Sequence, residues 1–190
     1  MNLRIVAGSL RGRVIRLPDG DLDYRPTLGR ARQSIADMLA PDLPGSAAAD
    51  VCAGSGAFGF EMLSRGAAMV DFIEENRVRC SRIRENAAAL GVLDRCRFIA
   101  RDAAAFVRSC SERYDILFFD PPYDEKALPL LVPSLVGLLT PRGRLVYQRR
   151  RKRGEIVIDR TKSGAAPTIK FFGDTAVECF GPGADLLPGS

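Results

Sequence analysis

From about residue 47 onward, short apolar runs alternate with segments whose apolar residues recur at helical spacing. Residues 47–53 are apolar apart from Asp50 and run into glycines, the pattern of a buried strand. Residues 57–65 then place Phe58, Met62 and Leu63 on one helical face, with Gly66 as the stop. Residues 69–73 predict the next strand. Cys80, Ile83, Ala87 and Leu90 follow at i, i+3, i+7 and i+10, closed by Gly91. Strands at 97–100, 116–119 and 144–148 alternate with helices near 103–110 and 126–138. Such alternation predicts right-handed βαβ units and an open, mostly parallel α/β sheet. The alternation then breaks. Residues 155–159, 169–172 and 175–180 read as strands, the last two joined at Gly173-Asp174, a hairpin signal. An antiparallel edge is therefore expected to close the sheet.

The first 45 residues differ in character. Strand-like residues 4–7 and 13–17 flank Gly8 and Gly12, which predicts a basic β-hairpin. A helix over 28–39 turns Ala31, Ile35, Met38 and Leu39 inward, and Pro41, Pro44 and Gly45 mark a linker. The chain thus divides into an extension at 1–45, a main domain at 46–180, and a tail at 181–190 that is expected to fray.

Composition narrows the chemistry by exclusion. The 190 residues are 46% hydrophobic and contain no histidine, which removes His-based triads, His metal ligands and imidazole acid–base chemistry. Five cysteines (Cys52, Cys80, Cys96, Cys110, Cys179) lack any C-x-x-C pair and read as reduced, packed thiols. No metal site is expected. The chain has no 18-residue apolar run and no long apolar stretch behind its N-terminus, so a cytoplasmic protein without membrane association is expected. The net charge of +5 is uneven: residues 1–32 carry +4, the run RRRKR at 149–153 carries +5, and the remainder is acidic. Two basic patches on an acidic body fit a polyanionic partner, or simply solvated surface.

The stretch DVCAGSGAFGFEMLSRG at 50–66 holds the densest chemistry. Gly54, Ser55 and Gly56 open a G-x-G-x-x-G turn completed by Gly59, and Glu74 lies 20 residues beyond Gly54. A glycine turn at a helix N-terminus lets backbone approach a ligand closely and offers unpaired N–H groups. That logic serves a dinucleotide, but equally the amino-acid end of S-adenosylmethionine. Asp50, inside the strand, suits a cationic ammonium better than a pyrophosphate. Glu74 is placed to accept from ribose hydroxyls, and Asp102, beyond the third strand, from an adenine amine. The plain alternative is that these carboxylates cap helices or turns.

Asp120-Pro121-Pro122-Tyr123 ends the fourth strand, on the edge where open α/β sheets bind ligands. The prolines fix the backbone, so that the Asp120 carboxylate and Pro121 carbonyl can together accept both hydrogens of an exocyclic amine. Tyr123 offers a ring on which a flipped base can stack.

With these residues the chain resembles class I S-adenosylmethionine-dependent methyltransferases that modify exocyclic amines of nucleic-acid bases. More finely, it resembles the RsmD family of bacterial guanine-N2 methyltransferases of small-subunit (16S) ribosomal RNA. The resemblance rests on RIVAGSLRGR (4–13), RPTLGRAR (25–32), DVCAGSGAFGFEMLSRGA (50–67), FIEENR (72–77) and FFDPPY (118–123). It implies a Rossmann-like fold with a mostly parallel seven-stranded sheet and an antiparallel strand from the C-terminal hairpin. It also implies S-adenosylmethionine as cofactor, and ribosomal RNA or an assembling 30S particle as partner of a monomer. Residues 1–45 then become an RNA-binding extension and 46–180 the catalytic domain. Candidate catalytic residues are Asp120, Pro121 and Tyr123; cofactor residues are Asp50, Gly54, Ser55, Gly56, Glu74, Asp102 and Thr27. Arg4, Arg11, Arg13, Arg16, Arg25 and Arg30 are candidate RNA contacts, ahead of the 149–153 run. The chain departs from the family pattern at Gln33, Gln148 and Tyr123, where an acid, an acid and Phe are usual. Rival readings are a DNA adenine-N6 or cytosine-N4 methyltransferase, for which a chain this short leaves little room, and a non-catalytic RNA-binding assembly factor. An NAD protein comes last, because it leaves D-P-P-Y without a task.

Overall fold

A computed structural model describes residues 2–18, 29–123, 125–151 and 168–181, with backbone alone at 29 and 30. Its centre is a sheet in which β3 (Ala47–Val51), β4 (Met69–Ile73), β5 (Cys96–Ile99), β6 (Tyr114–Phe119) and β7 (Leu139–Arg150) run parallel. With β8 (Thr168–Phe172) and β9 (Thr175–Phe180) added, the strand order is β5-β4-β3-β6-β7-β9-β8. The expected alternation is present. The expected antiparallel strand from the C-terminal hairpin is β9, which lies between β7 and β8, so the outer edge is β8. Pairing β9 on both sides satisfies both of its ladders, which an edge strand cannot do. The strand expected at 155–159 lies outside the described residues.

Successive strand residues face opposite layers, so the central strands are apolar on both faces and read as continuous runs. Ala48, Phe72, Ile116, Phe118 and Val146 meet α1 (Gly29–Leu39), α2 (Ala57–Ser64) and α3 (Arg77–Leu90). Ala49, Val51, Leu117, Phe119 and Leu145 meet α4 (Ala103–Ser109) and α5 (Val132–Val136). The segment expected as one helix at 126–138 is a short 3-10 turn at Leu128–Leu131 followed by α5, with Pro129 and Pro133 each at a helix start. Helix α2 is buried along its whole length, beyond the single face expected. Gly59 explains how closely it sits: a Cβ there would lie 2.2 Å from Phe72 Cε1. Of the four inward residues expected in α1, Ala31, Ile35 and Leu39 are buried and Met38 is half-buried.

The N-terminal hairpin pairs β1 (Asn2–Arg4) with β2 (Val14–Arg16), and its Ile5 and Ile15 join the same hydrophobic cluster as the sheet. It is fastened to α2 by two polar residues. Glu61, fully buried, accepts from the N–H groups of Val6 (2.9 Å) and Ala7 (3.1 Å), and its charge is met by Arg65 Nε at 2.9 Å. Ser64 Oγ donates to the Ala7 carbonyl and accepts from Leu10 N–H, while the Ser64 carbonyl accepts from Ser9 N–H.

Candidate active site

The glycine loop leaves β3 with a left-handed residue at Cys52 (φ 63°), followed by Gly54 (φ 56°) and Gly56 (φ 74°). Cys52 is the one non-glycine residue with positive φ among the described residues, a conformation disfavoured for a side chain with a Cβ. The turn is held against β4 by Ala53 N–H to the Ile73 carbonyl (2.9 Å) and Gly54 N–H to Glu74 Oε2 (2.7 Å). Glu74 Oε1 accepts from Asn76 N–H at 2.9 Å. Glu74 therefore ties the loop through one oxygen and the residue before α3 through the other, each oxygen with a lone pair left over.

Asp50 Oδ2 accepts from Gly59 N–H at 2.8 Å, satisfying one of the open amides in the first turn of α2 from the strand side. Ser55 Oγ accepts from Ala57 N–H at 3.2 Å. These contacts shape the helix N-terminus and do not by themselves exclude a ligand. Asp102 is exposed and caps α4, its Oδ1 accepting from Ala105 N–H at 2.7 Å.

The D-P-P-Y segment leaves β6 beside the glycine loop. Asp120 N–H donates to the Val51 carbonyl at 3.4 Å, one residue before Cys52. Pro121 is buried, whereas Tyr123 is 41% exposed, with its hydroxyl 3.3 Å from Thr175 Oγ1 of β9. The ring is thus anchored at its tip with its body open.

Electrostatics distinguishes this end of the sheet. Burial pushes the Asp50 carboxyl up to about 8, and the charges of Asp120 and Glu74 push the same way. Glu74 is also raised, mainly by burial, with Arg79 as the charge that opposes the rise. The Cys52 thiol is raised by burial and by the carboxylates of Glu74, Asp120, Glu75 and Asp50, which keeps it protonated and inert. Acids gathered this closely complement a cationic ligand, which would draw off the proton that Asp50 holds up to about pH 8, and repel a pyrophosphate.

Asp50, Glu74 and Asp120 converge with the glycines as expected. Thr27 and Arg25 lie outside the described residues, as does the side chain of Arg30. The arm arginines have mixed employment. Arg4 Nη1 donates to the Gly12 carbonyl (2.8 Å) and Arg13 Nη2 to the Ala89 carbonyl (2.7 Å), while Arg11 and Arg16 are exposed. In the 149–153 run, Arg149 pairs with Glu178 at 2.5 Å and Arg151 lies over the Phe171 ring at 4.3 Å. Sequence reasoning missed Cys52, Glu61, Ser64 and Arg79. A fully apolar α2 interrupted only by Glu61 and Ser64 was the one available signal for the clamp.

The fold and this mouth define a class I methyltransferase fold with a cation-complementing ligand site at the carboxyl ends of its strands. The family described as conserved hypothetical protein 95 matches residues 3–179, and the chain belongs to it. Ribosomal RNA small subunit methyltransferase D of Escherichia coli is 36% identical over 121 residues, covering 64% of this chain and 60% of that protein. The chain therefore matches about three fifths of the length of that relative. The Haemophilus influenzae protein of the same name is 31% identical over 136 residues, 68% of this chain and 70% of that one. Among solved structures, the candidate methyltransferase yhhF of Escherichia coli superposes with a TM-score of 0.80 at 28% identity, covering 95% of this chain and 98% of its own.

Proposed function

We propose that the protein transfers a methyl group from S-adenosylmethionine to the exocyclic N2 of a guanine in small-subunit ribosomal RNA, free or in an assembling 30S particle. It acts as a cytoplasmic monomer, with residues 1–45 gripping RNA and 46–180 performing the chemistry. The observation that carries this reading is the meeting of Asp120-Pro121-Pro122-Tyr123 with a glycine loop ringed by carboxylates. The relatives named as small-subunit methyltransferases supply the substrate class.

The donor set fits the cofactor. Gly54, Ser55 and Gly56 present the turn at the α2 N-terminus to its amino-acid end, and Asp50 meets its ammonium. Glu74 takes the ribose hydroxyls with its remaining lone pairs, Asp102 takes the adenine amine, and Thr27 serves the cofactor carboxylate. When bound, S-adenosylmethionine supplies an electrophilic methyl carbon, which the amine takes up as the carbon–sulfur bond breaks. The task of the protein is to make a poor nucleophile ready. The lone pair of a guanine amine is conjugated into the ring. Asp120 and the Pro121 carbonyl accept its two hydrogens, favour a tetrahedral nitrogen and aim it. Orientation of this kind contributes on the order of 7 kcal/mol in well-placed cases. Tyr123 stacks on the flipped base. The proton leaves to water after transfer, so no histidine is needed. Arg4, Arg11, Arg13, Arg16, Arg25 and Arg30 hold phosphates.

The test is labelled-methyl transfer to undermodified small-subunit particles and to free 16S RNA, followed by mapping of the modified base. Label on a guanine N2 of that RNA supports the reading. Incorporation into duplex DNA instead, or no incorporation together with no cofactor binding, overturns it.

A further inference from the structure

The arm lies along one flank of α3. Arg16 N–H donates to Asn86 Oδ1 at 3.0 Å, and Asn86 Nδ2 returns a bond to the Arg16 carbonyl at 2.8 Å. Asn86 is only 3% exposed and acts as a surrogate strand for the open edge of β2. Arg13 reaches the Ala89 carbonyl in the last turn of α3, where a cation is favoured.

At about 100° per residue, Arg79, Arg82, Asn86 and Ala89 fall within about 80° of one another on the helix. The arm covers only the C-terminal half of that stripe. Arg79 and Arg82 continue it towards the helix N-terminus, where Asn76 caps α3 immediately after Glu74 and Glu75. Arg79 is near enough to Glu74 to favour its charged form. Four arginines (Arg13, Arg16, Arg82, Arg79) thus follow one line from the arm to the mouth, spanning about 15 Å of helix. Arg77 and Arg84 fall on the opposite flank, and Arg84 lies 4.6 Å from the centre of the Phe98 ring. Arg82 pairs with Glu85 in an exposed ion pair of 2.8 Å that a phosphate can displace.

We propose that this flank of α3 is the path by which the RNA strand reaches the active site, with Arg82 as a phosphate contact midway between the arm and the carboxylate mouth. The inference rests on the RNA-methyltransferase reading and adds the route to it. A uniform basic surface would not order its charges this way; here one flank of the helix is shared with the arm and the other is not.

The experiment measures binding of 16S RNA by the full chain across a salt series, with methyl-transfer kinetics alongside, for wild type, Arg82→Gln and Arg84→Gln. Arg82→Gln is expected to weaken binding about three- to tenfold and to reduce the salt slope by about one. Its KM for RNA rises while kcat, cofactor affinity and Tm stay at wild-type values. Arg84→Gln stays at wild type throughout. Wild-type binding by Arg82→Gln, or an equal loss in Arg84→Gln, overturns the route while leaving the enzyme reading intact. A wild-type chain that neither binds nor methylates the RNA overturns both.

Discussion

The carboxylate mouth and the arginine arm are joined by one helix and built on opposite terms. At the mouth, the carboxyl groups of Asp50 and Glu74 are buried, and burial, reinforced by the neighbouring charges of Asp120 and Glu74, makes Asp50 hold its proton up to about pH 8. On the arm, Arg11 and Arg16 are exposed, and the buried polar work is done beneath them by Glu61 and Ser64. Helix α2 serves both, its first turn against Asp50 and its last two turns in the clamp. The comparison teaches that two ligands of opposite charge are kept apart by burial as much as by distance. A buried acidic site discriminates by desolvation, and an exposed basic one by screened attraction.

Removing the centre of the mouth should have the largest effect. Asp120→Ala deletes the acceptor that aims the amine, and turnover should fall by about a thousandfold or more, a loss of about 4 kcal/mol in transition-state stabilisation. Cofactor affinity, measured by calorimetry, should stay within a few-fold of wild type. Turnover within tenfold of wild type would remove Asp120 from the proposed mechanism. The clamp comes next. Glu61→Ala leaves the half-buried N–H groups of Val6 and Ala7 without their acceptor and Arg65 with Asp37 alone, and should cost about 2 kcal/mol or more in denaturant unfolding. Ser64→Ala should cost less. If Glu61→Ala lowers stability yet leaves RNA affinity untouched, the arm does not depend on its seat and the two regions are more independent than the helix implies.

The layout of the fold could be read from the sequence because strands buried on both faces and helices with an apolar stripe leave different periods. Glycines at 66 and 91 punctuate them. The position of β9 was not legible, since a hairpin signal fixes which strands pair with each other and not where the pair joins a sheet. At the site, glycines and acids at successive strand ends were readable because topology brings those ends together. Asp102 was less sharply legible: a carboxylate at a helix start looks the same whether it caps, binds or does both. Glu61 was invisible for a related reason. Its partners are backbone amides 54 and 55 residues away, and backbone amides leave no mark in a sequence.

A pH series sharpens the mouth side of the comparison. Asp50 has a folded pKa raised far above the ordinary aspartate value near 4, to about 8. The sign follows: its contribution favours the ligand-free fold fully below about pH 4 and is lost as pH rises through about 8. The Tm of the ligand-free protein should therefore fall between about pH 4 and 8. Asp50→Asn keeps an oxygen for Gly59 N–H but has no proton to lose, so its Tm should vary less over that range. An equal slope in both proteins would assign the pH dependence to other groups and return Asp50 to the role of a plain helix cap.

The smallest effect belongs to the arm. Arg11 is exposed in the turn between β1 and β2, and Arg11→Gln should leave Tm and kcat unchanged. Each phosphate-binding charge removed should lower the slope of log affinity against log salt by about 0.7 to 0.9, so the expected change for one arginine is about one unit or less. The affinity loss should be a few-fold near physiological salt and shrink as salt rises, because the interaction is screened. That salt dependence separates the arm from the mouth. A mouth variant such as Asp120→Ala loses turnover at every ionic strength, whereas Arg11→Gln should become indistinguishable from wild type in concentrated salt. If the Arg11→Gln deficit instead persists at high salt, the arginine acts through the geometry of the hairpin, and the arm reads shape as well as charge.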